Sequence, residues 1–258
     1  MIIDGKQIAA DILARTKARA AKLSHRPKVV AIVGEETPAT RSYLKIKERA
    51  AVEAGCAFET RALGSDYSDA DAVIVQLPLP AGSDQKEILD AIPSEKDADV
   101  LSAFSRLQFE NDELDTLVPP VAGAVAEILK AGKVDVKEKR AVVIGSGWLV
   151  GAPVAILFAQ LGADVSTITL EAGDLGMLKD ADLIVSGAGS PGLIKPEMIK
   201  EGVVLIDAGT SESSGKVVGD ADPACAAKCS LFTPVPGGVG PIAVAKLFEN
   251  AVLLAERK

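Results

Sequence analysis

Tyr43 and Lys47 stand four residues apart in "ATRSYLKIKERAA", a spacing that sets both side chains on one face of a helix. An amine held out of water gives up its proton more readily and can then accept one from a reacting group. The chain has one histidine, His25 in "LSHRPKVV", read as a solvated connector residue, so proton transfer falls to lysine, tyrosine or a carboxylate. The same pair also serves structure, as a half-buried ring beside a solvated ammonium, and the spacing alone leaves both readings open. Gln76 closes the apolar run "DAVIVQ" at the carboxyl end of a buried strand, where α/β sheets bind ligands. Pro78 and Pro80 of the following "LPLP" hold the chain extended. Asp97 and Asp99 come together in "IPSEKDADVL", and "FTPVPGGVGP" forms a stiff loop with exposed backbone amides.

A second chemistry is written in "VVIGSGWLVGAP", residues 142–153. A strand ending at Ile144, glycines at 145, 147 and 151, and an apolar helix from about Leu149 make the first half of a dinucleotide-binding βαβ unit. The first glycine permits a tight turn, the second the approach of a pyrophosphate, and the third close packing of helix on strand. A turn that merely joins strand to helix would look similar. Glu171 follows the next strand, "ADVSTITL", about twenty residues after Gly151. An acid there accepts hydrogen bonds from a ribose hydroxyl and repels a 2′-phosphate. It could equally be a solvated loop carboxylate.

These residues need a scaffold, and the chain supplies one in short β-branched runs alternating with helical patterns: "KVVAIVG", "DAVIVQ", "AVVIG", "ADVSTITL", "DLIVSG" and "GVVLIDAG". The alternation predicts an α/β fold of parallel sheets covered by helices, in two α/β domains, the second a Rossmann-like parallel sheet. The first domain takes residues 1–118 and the second residues 119–239, the second entered through a helix that starts at Pro119 and Pro120. A C-terminal helix, residues 240–258, is expected to fold back onto the first domain. Thr37 and Pro38 carry the cap and first turn of the helix that bears Tyr43 and Lys47.

Composition narrows the partners. A net charge of −8 and 3% aromatic residues exclude a basic stripe or a base-stacking surface, so no nucleic-acid partner is expected. No run approaches the roughly 20 apolar residues of a membrane span. The first residues read as a strand and a helix, so a cytoplasmic protein with no membrane partner is the expectation. Cys56, Cys225 and Cys229 make no tidy disulfide framework, and without nearby histidine they make no zinc site, so no metal is expected.

The matching stretches "IDGKQIA", "VGEETPATRSYLKIK", "IVQLPLP", "IPSEKDAD", "VVIGSGWLVGAP", "LIDAG", "KVVGD" and "TPVPGGVGP" run in one order over nearly the whole chain. By them the sequence resembles the bifunctional methylenetetrahydrofolate dehydrogenase/methenyltetrahydrofolate cyclohydrolase family. "VQLPLP" and "TPVPGGVGP" are its most specific elements. The resemblance implies a tetrahydrofolate-derivative substrate, NAD or NADP as cofactor, and a ligand cleft between a folate-binding catalytic domain and a dinucleotide-binding domain. It further implies a homodimer through the dinucleotide domain. It implies Lys47, Tyr43, Gln76 and Asp97 as catalytic residues, and folate contacts at Tyr43, Gln76, Leu77, Pro78, Leu79, Asp99, Pro236, Gly237 and Gly238. Gly145, Ser146, Gly147, Leu149, Val150, Thr169, Leu170, Glu171, Gly189, Gly209 and Thr210 are expected to border the dinucleotide. Several positions depart from the family pattern: Val100 replaces its glycine, "PPVA" its "PCTP", "GSG" its "GRS", and "TLE" at 169–171 its usual phosphate-pocket residues. With no arginine in "GSGWLV" or "ITLEAGD", NAD is favoured over NADP. The alternatives are a chain with only one of the two activities, or a non-catalytic folate- or nucleotide-binding paralogue.

Overall fold

Two all-parallel sheets carry the chain, each in its own compact unit. The computed structural model describes residues 1–171, 173–213 and 216–258, with backbone alone at 39 and 213.

The first unit comprises Ala9–Pro120 and Val244–Lys258. Its sheet has β1 (Lys28–Val33) at the centre, flanked by β2 (Ala57–Ala62) and β3 (Ala72–Gln76), all parallel. α1 (Gly5–Ala20), which begins in the other unit, precedes β1, and α2 (Pro38–Ala54) connects β1 to β2. α3 (Gln85–Asp90) and α4 (Ala103–Glu110) follow β3. β1 and β3 are buried along nearly their whole length, because helices cover both faces of a parallel sheet. The chain leaves β1 toward β2 and returns to the far side of β1 as β3. By that reversal the ligand crevice is expected beyond the carboxyl ends of β1 and β3, the usual position in such sheets.

The other unit comprises Met1–Ile8 and Val121–Ala243. After α5 (Pro120–Gly132) come β4 (Arg140–Ile144), α6 (Gly151–Gln160), β5 (Asp164–Ile168), β6 (Leu183–Ser186) and β7 (Val204–Asp207). A hairpin of β8 (Ser211–Ser213) and β9 (Lys216–Val218) precedes β10 (Leu231–Phe232). The five-stranded parallel sheet has the order β10-β7-β6-β4-β5, so its reversal point lies between β4 and β6. Ile144, Ile184, Leu178 and Leu205, all fully buried, form the centre of its core.

The sequence reading begins the first unit at residue 1, whereas the structure groups Met1–Ile8 with the five-stranded sheet. The reason is backbone pairing with β10 and the loop after it: Ile3 N donates to Phe232 O (2.9 Å) and Phe232 N to Met1 O (2.9 Å) at the strand, and Gly5 N to Gly237 O (3.0 Å) in the loop.

α7 (Val239–Glu256) ends in the first unit and is held there by polar contacts. Asn250 Nδ2 donates to Ala98 O (3.0 Å) and Val118 O (2.9 Å), while Arg15 Nε meets Glu249 Oε1 at 3.1 Å. Arg19 pairs with Glu256, and Lys258 Nζ reaches Asp71 Oδ1 at 3.0 Å. Phe248 meets Phe58 of β2 edge to face, their centroids 6.1 Å apart. His25 is not merely solvated, since its Nε2 lies 3.1 Å from Asp71 Oδ2. Among the described residues no helix is long and apolar enough to cross a membrane.

Candidate active site

Lys47 lies on α2, whose start is fixed by Thr37: its Oγ1 accepts the amide of Thr40 at 3.1 Å, with Pro38 in the first turn. Three turns on, the Lys47 ammonium donates to Gln76 Oε1 at 2.9 Å. Gln76 is buried at the end of β3, and its Nε2 donates to Leu77 O at 2.7 Å. That second bond fixes which way the amide faces, so the carbonyl oxygen is the end turned to the amine. The partner is therefore polar but uncharged. Burial pulls the Lys47 amine below its ordinary range, and the negative charge of Asp99 opposes this without outweighing it. Tyr43, one turn earlier, presents a ring that is 47% exposed. Leu77 and Leu79 pack against the core of the sheet while Pro78 is exposed, and the Leu77–Pro78 peptide is cis.

The two acids of "DADV" have different surroundings. Asp97 is buried, and its oxygens accept the amides of Leu101 (3.1 Å) and Ser102 (2.8 Å), which ties down the turn into α4. Asp99 is half-buried, and desolvation pushes its carboxyl up, opposed by Lys47 and by Arg106. Arg106, which sequence reading did not single out, is buried; its Nε donates to Val100 O at 2.6 Å, and burial brings its guanidinium down to about 10. Val100 stands where the family resemblance expects glycine, and it adopts φ +55° with its side chain fully buried. A β-branched residue in this region is strained, and the turn retains it through the Arg106 bond and the packing of the side chain.

In the other unit Gly145 ends β4 with φ +98°, and a Cβ there would come within 3.0 Å of Gly187 O. Gly151 begins α6 so close to the turn that a Cβ would sit 1.8 Å from Gly145 O. The middle glycine is different: a Cβ on Gly147 would meet nothing within 4 Å. Val150, the residue before α6, provides no side-chain hydrogen bond to the helix start. Open space before Gly147 and a helix start without a side-chain cap fit a pyrophosphate. Ser146 and Leu149 are exposed beside it. β5 pairs with β4, and Thr169, Leu170 and Glu171 follow it, with Leu170 and Glu171 exposed.

Gly189 and Gly209 belong to the loops after β6 and β7, and Thr210 is exposed beyond the second. Their neighbours include two buried acids. Asp207 accepts the amides of Gly209 (2.9 Å) and Ala221 (2.8 Å), and burial lifts its carboxyl to about 6. Charge at Asp207 is thus disfavoured by folding. The stabilisation present below the ordinary carboxylate range is lost as pH rises through about 6, a change of about 3 kcal/mol. Asp207→Asn lacks this titration. Its stability relative to wild type is expected to improve by about that amount between pH 4 and pH 7.5 in urea unfolding. A constant difference would show that Asp207 keeps an ordinary pKa. Pro236 is exposed and Gly237 takes φ +104° in the loop that bonds the N-terminal segment, with Gly238 buried behind it.

Residues 3–99 match the family described as the tetrahydrofolate dehydrogenase/cyclohydrolase catalytic domain, and residues 119–258 match its NAD(P)-binding domain. The chain belongs to the tetrahydrofolate dehydrogenase/cyclohydrolase family. The bifunctional protein FolD of Thermotoga maritima is 34% identical over 100% of this chain and 99% of its own. The FolD dehydrogenase/cyclohydrolase of Campylobacter jejuni superposes with a TM-score of 0.94 at 32% identity, over 100% of this chain and 99% of that one. A Trypanosoma brucei FolD structure, complexed with NADP and an inhibitor, gives 0.92 at 30% identity, over 100% of this chain and 97% of that one. Family membership thus accounts for the two sheet-based units and for the glycine turn in the second.

Proposed function

We propose that Lys47 is the proton acceptor of a methenyltetrahydrofolate cyclohydrolase, in a chain that also oxidises 5,10-methylenetetrahydrofolate with NAD(P). The observation that carries this reading is the 2.9 Å contact of the Lys47 amine with the neutral oxygen of Gln76, at the carboxyl end of a buried strand. Oxidation removes a hydride from the carbon bridging N5 and N10 of the folate and leaves a cation spread over N–C–N. Hydrolysis then needs water to attack that carbon and lose a proton, giving 10-formyltetrahydrofolate. A lysine already pulled below its ordinary range takes that proton, and the substrate cation beside it disfavours the ammonium further. Gln76 orients the amine without adding the negative charge that would keep it protonated. Tyr43 offers a flat face to the substrate, with Leu77, Pro78 and Leu79 bordering the same crevice. Asp99 accepts pterin N–H groups, and Asp97 acts one step back, holding the turn that presents Asp99.

The dinucleotide is assigned to Gly145, Ser146, Gly147, Leu149 and Val150, where helix amides and open space suit its pyrophosphate. Bound there, it supplies the hydride acceptor. NAD is favoured over NADP because Glu171 follows the strand next to β4 and would repel a 2′-phosphate. The test is to follow methenyl absorbance when purified protein meets 5,10-methylenetetrahydrofolate with either nucleotide at matched concentration. Absorbance that grows and then decays supports both activities. No oxidation with either nucleotide, together with no hydrolysis of added methenyl compound, would overturn the reading. Glu171→Arg should raise kcat/KM with NADP about tenfold or more and lower it with NAD, and unchanged ratios would remove Glu171 from cofactor choice.

A further inference from the structure

Asp220, in the "KVVGD" stretch, is fully buried and accepts four hydrogen bonds from one short segment. Its Oδ2 accepts Ser186 Oγ (2.7 Å), Ala188 N (2.8 Å) and Gly189 N (3.3 Å), and its Oδ1 accepts Ser190 N (2.7 Å). Three successive amides curl around a carboxylate, the arrangement that loops elsewhere use to hold a free anion. Here the anion belongs to the protein. The donating segment leaves the carboxyl end of β6, and β6 and β4 flank the reversal point of the five-stranded sheet. Gly187 within it lies against Gly145, the first residue of the glycine turn.

Asp220 is itself held from both sides. Ile194 N donates to Asp220 O (3.0 Å), Gly192 N to Gly219 O (3.2 Å), Asp222 N to Ile194 O (2.9 Å), and Ala221 N to Asp207. A side chain anchored in this way imposes a shape on the segment it binds, and charge-assisted bonds of this kind are about twice as strong as neutral ones.

We infer that Asp220 is a positioning residue for the dinucleotide: it turns the amides of Ala188, Gly189 and Ser190 inward and so fixes the loop that borders the cofactor with its carbonyl groups available. This deepens the proposed dehydrogenase reading and rests on it. It also changes what Gly189 can contribute, because an amide already given to Asp220 is not offered to a phosphate. The carbonyls of this loop can instead accept hydrogen bonds from an amide or hydroxyl group of the ligand.

The experiment compares wild type, Asp220→Asn and Ser186→Ala in two assays: calorimetric Kd for NAD and for NADP, and hydrolysis of methenyltetrahydrofolate without nucleotide. Asp220→Asn keeps the shape but places an amide donor against backbone donors. It is expected to raise the Kd of whichever nucleotide wild type binds by at least tenfold while hydrolysis stays within twofold. Ser186→Ala removes one bond of four and should raise Kd two- to fivefold, which keeps the inference testable if the asparagine variant does not fold. Unchanged Kd in a folded Asp220→Asn, or in Ser186→Ala, overturns the positioning role alone. An equal loss of hydrolysis overturns it in favour of a general structural role. Failure of wild type to bind either nucleotide overturns the dehydrogenase reading and this inference with it.

Discussion

Lys47→Met should lose methenyltetrahydrofolate hydrolysis by about a thousandfold, within the range that a positioned acid or base contributes. Methionine keeps an unbranched apolar stem, so α2 and the wall of the crevice stay filled while the amine disappears. Oxidation of the methylene compound should survive within about tenfold, because hydride transfer depends on alignment of the reacting carbons and needs no proton acceptor. Lys47→Arg sharpens the test. A guanidinium keeps the charge and can still bond to Gln76, but it does not release its proton. If Lys47 acts as a base, the arginine variant is as inactive in hydrolysis as the methionine one. Hydrolysis by wild type should also fall as pH drops through the lowered pKa of the amine. Hydrolysis by Lys47→Met at near wild-type rate would remove the amine from the mechanism.

The second large effect is expected at Gly151. Alanine is the better helix former by about 1 kcal/mol, so on propensity alone Gly151→Ala would stabilise α6. The added carbon, however, would sit 1.8 Å from Gly145 O, a backbone atom of the turn that cannot swing aside. The clash outweighs propensity, because overpacking costs about 1–3 kcal/mol or displaces backbone. Relief requires α6 to move off the glycine turn. Nucleotide affinity and dehydrogenase kcat/KM should then fall by at least thirtyfold, with hydrolysis much less affected. Titration calorimetry and the two assays decide it, and wild-type-like nucleotide affinity would show that the turn tolerates the shift.

Much of this was legible from residue order. Buried parallel strands read as unbroken apolar runs, so β1, β3, β4, β6 and β7 were visible, and the Thr37–Pro38 cap followed from residue type. β2 was not read as a strand, because "AFETRA" lies at the sheet edge and mixes polar with apolar residues. The β8–β9 hairpin is too short to show a period. At the site, the four-residue spacing put Tyr43 and Lys47 on one face but left their role undecided. What bears on it is the bond to Gln76, twenty-nine residues away, which no local pattern contains. Arg106 was hidden for a related reason: on α4 it reads as one more solvated charge, yet it is buried beneath the Asp97–Val100 turn. Asp207 and Asp220 each follow an apolar run, and only the fold reveals which amides they hold.

The closing helix has a consequence for how the protein comes into being. Asn250 satisfies carbonyls of residues 98 and 118, and Glu249 and Glu256 pair with arginines of α1, so the unit that carries Lys47 awaits residues 244–258. On the ribosome the five-stranded unit has all its residues before those are made. The nascent three-stranded sheet must therefore persist with its Asn250 partners open until α7 emerges. A chaperone that recognises exposed apolar surface would meet this protein chiefly in that interval.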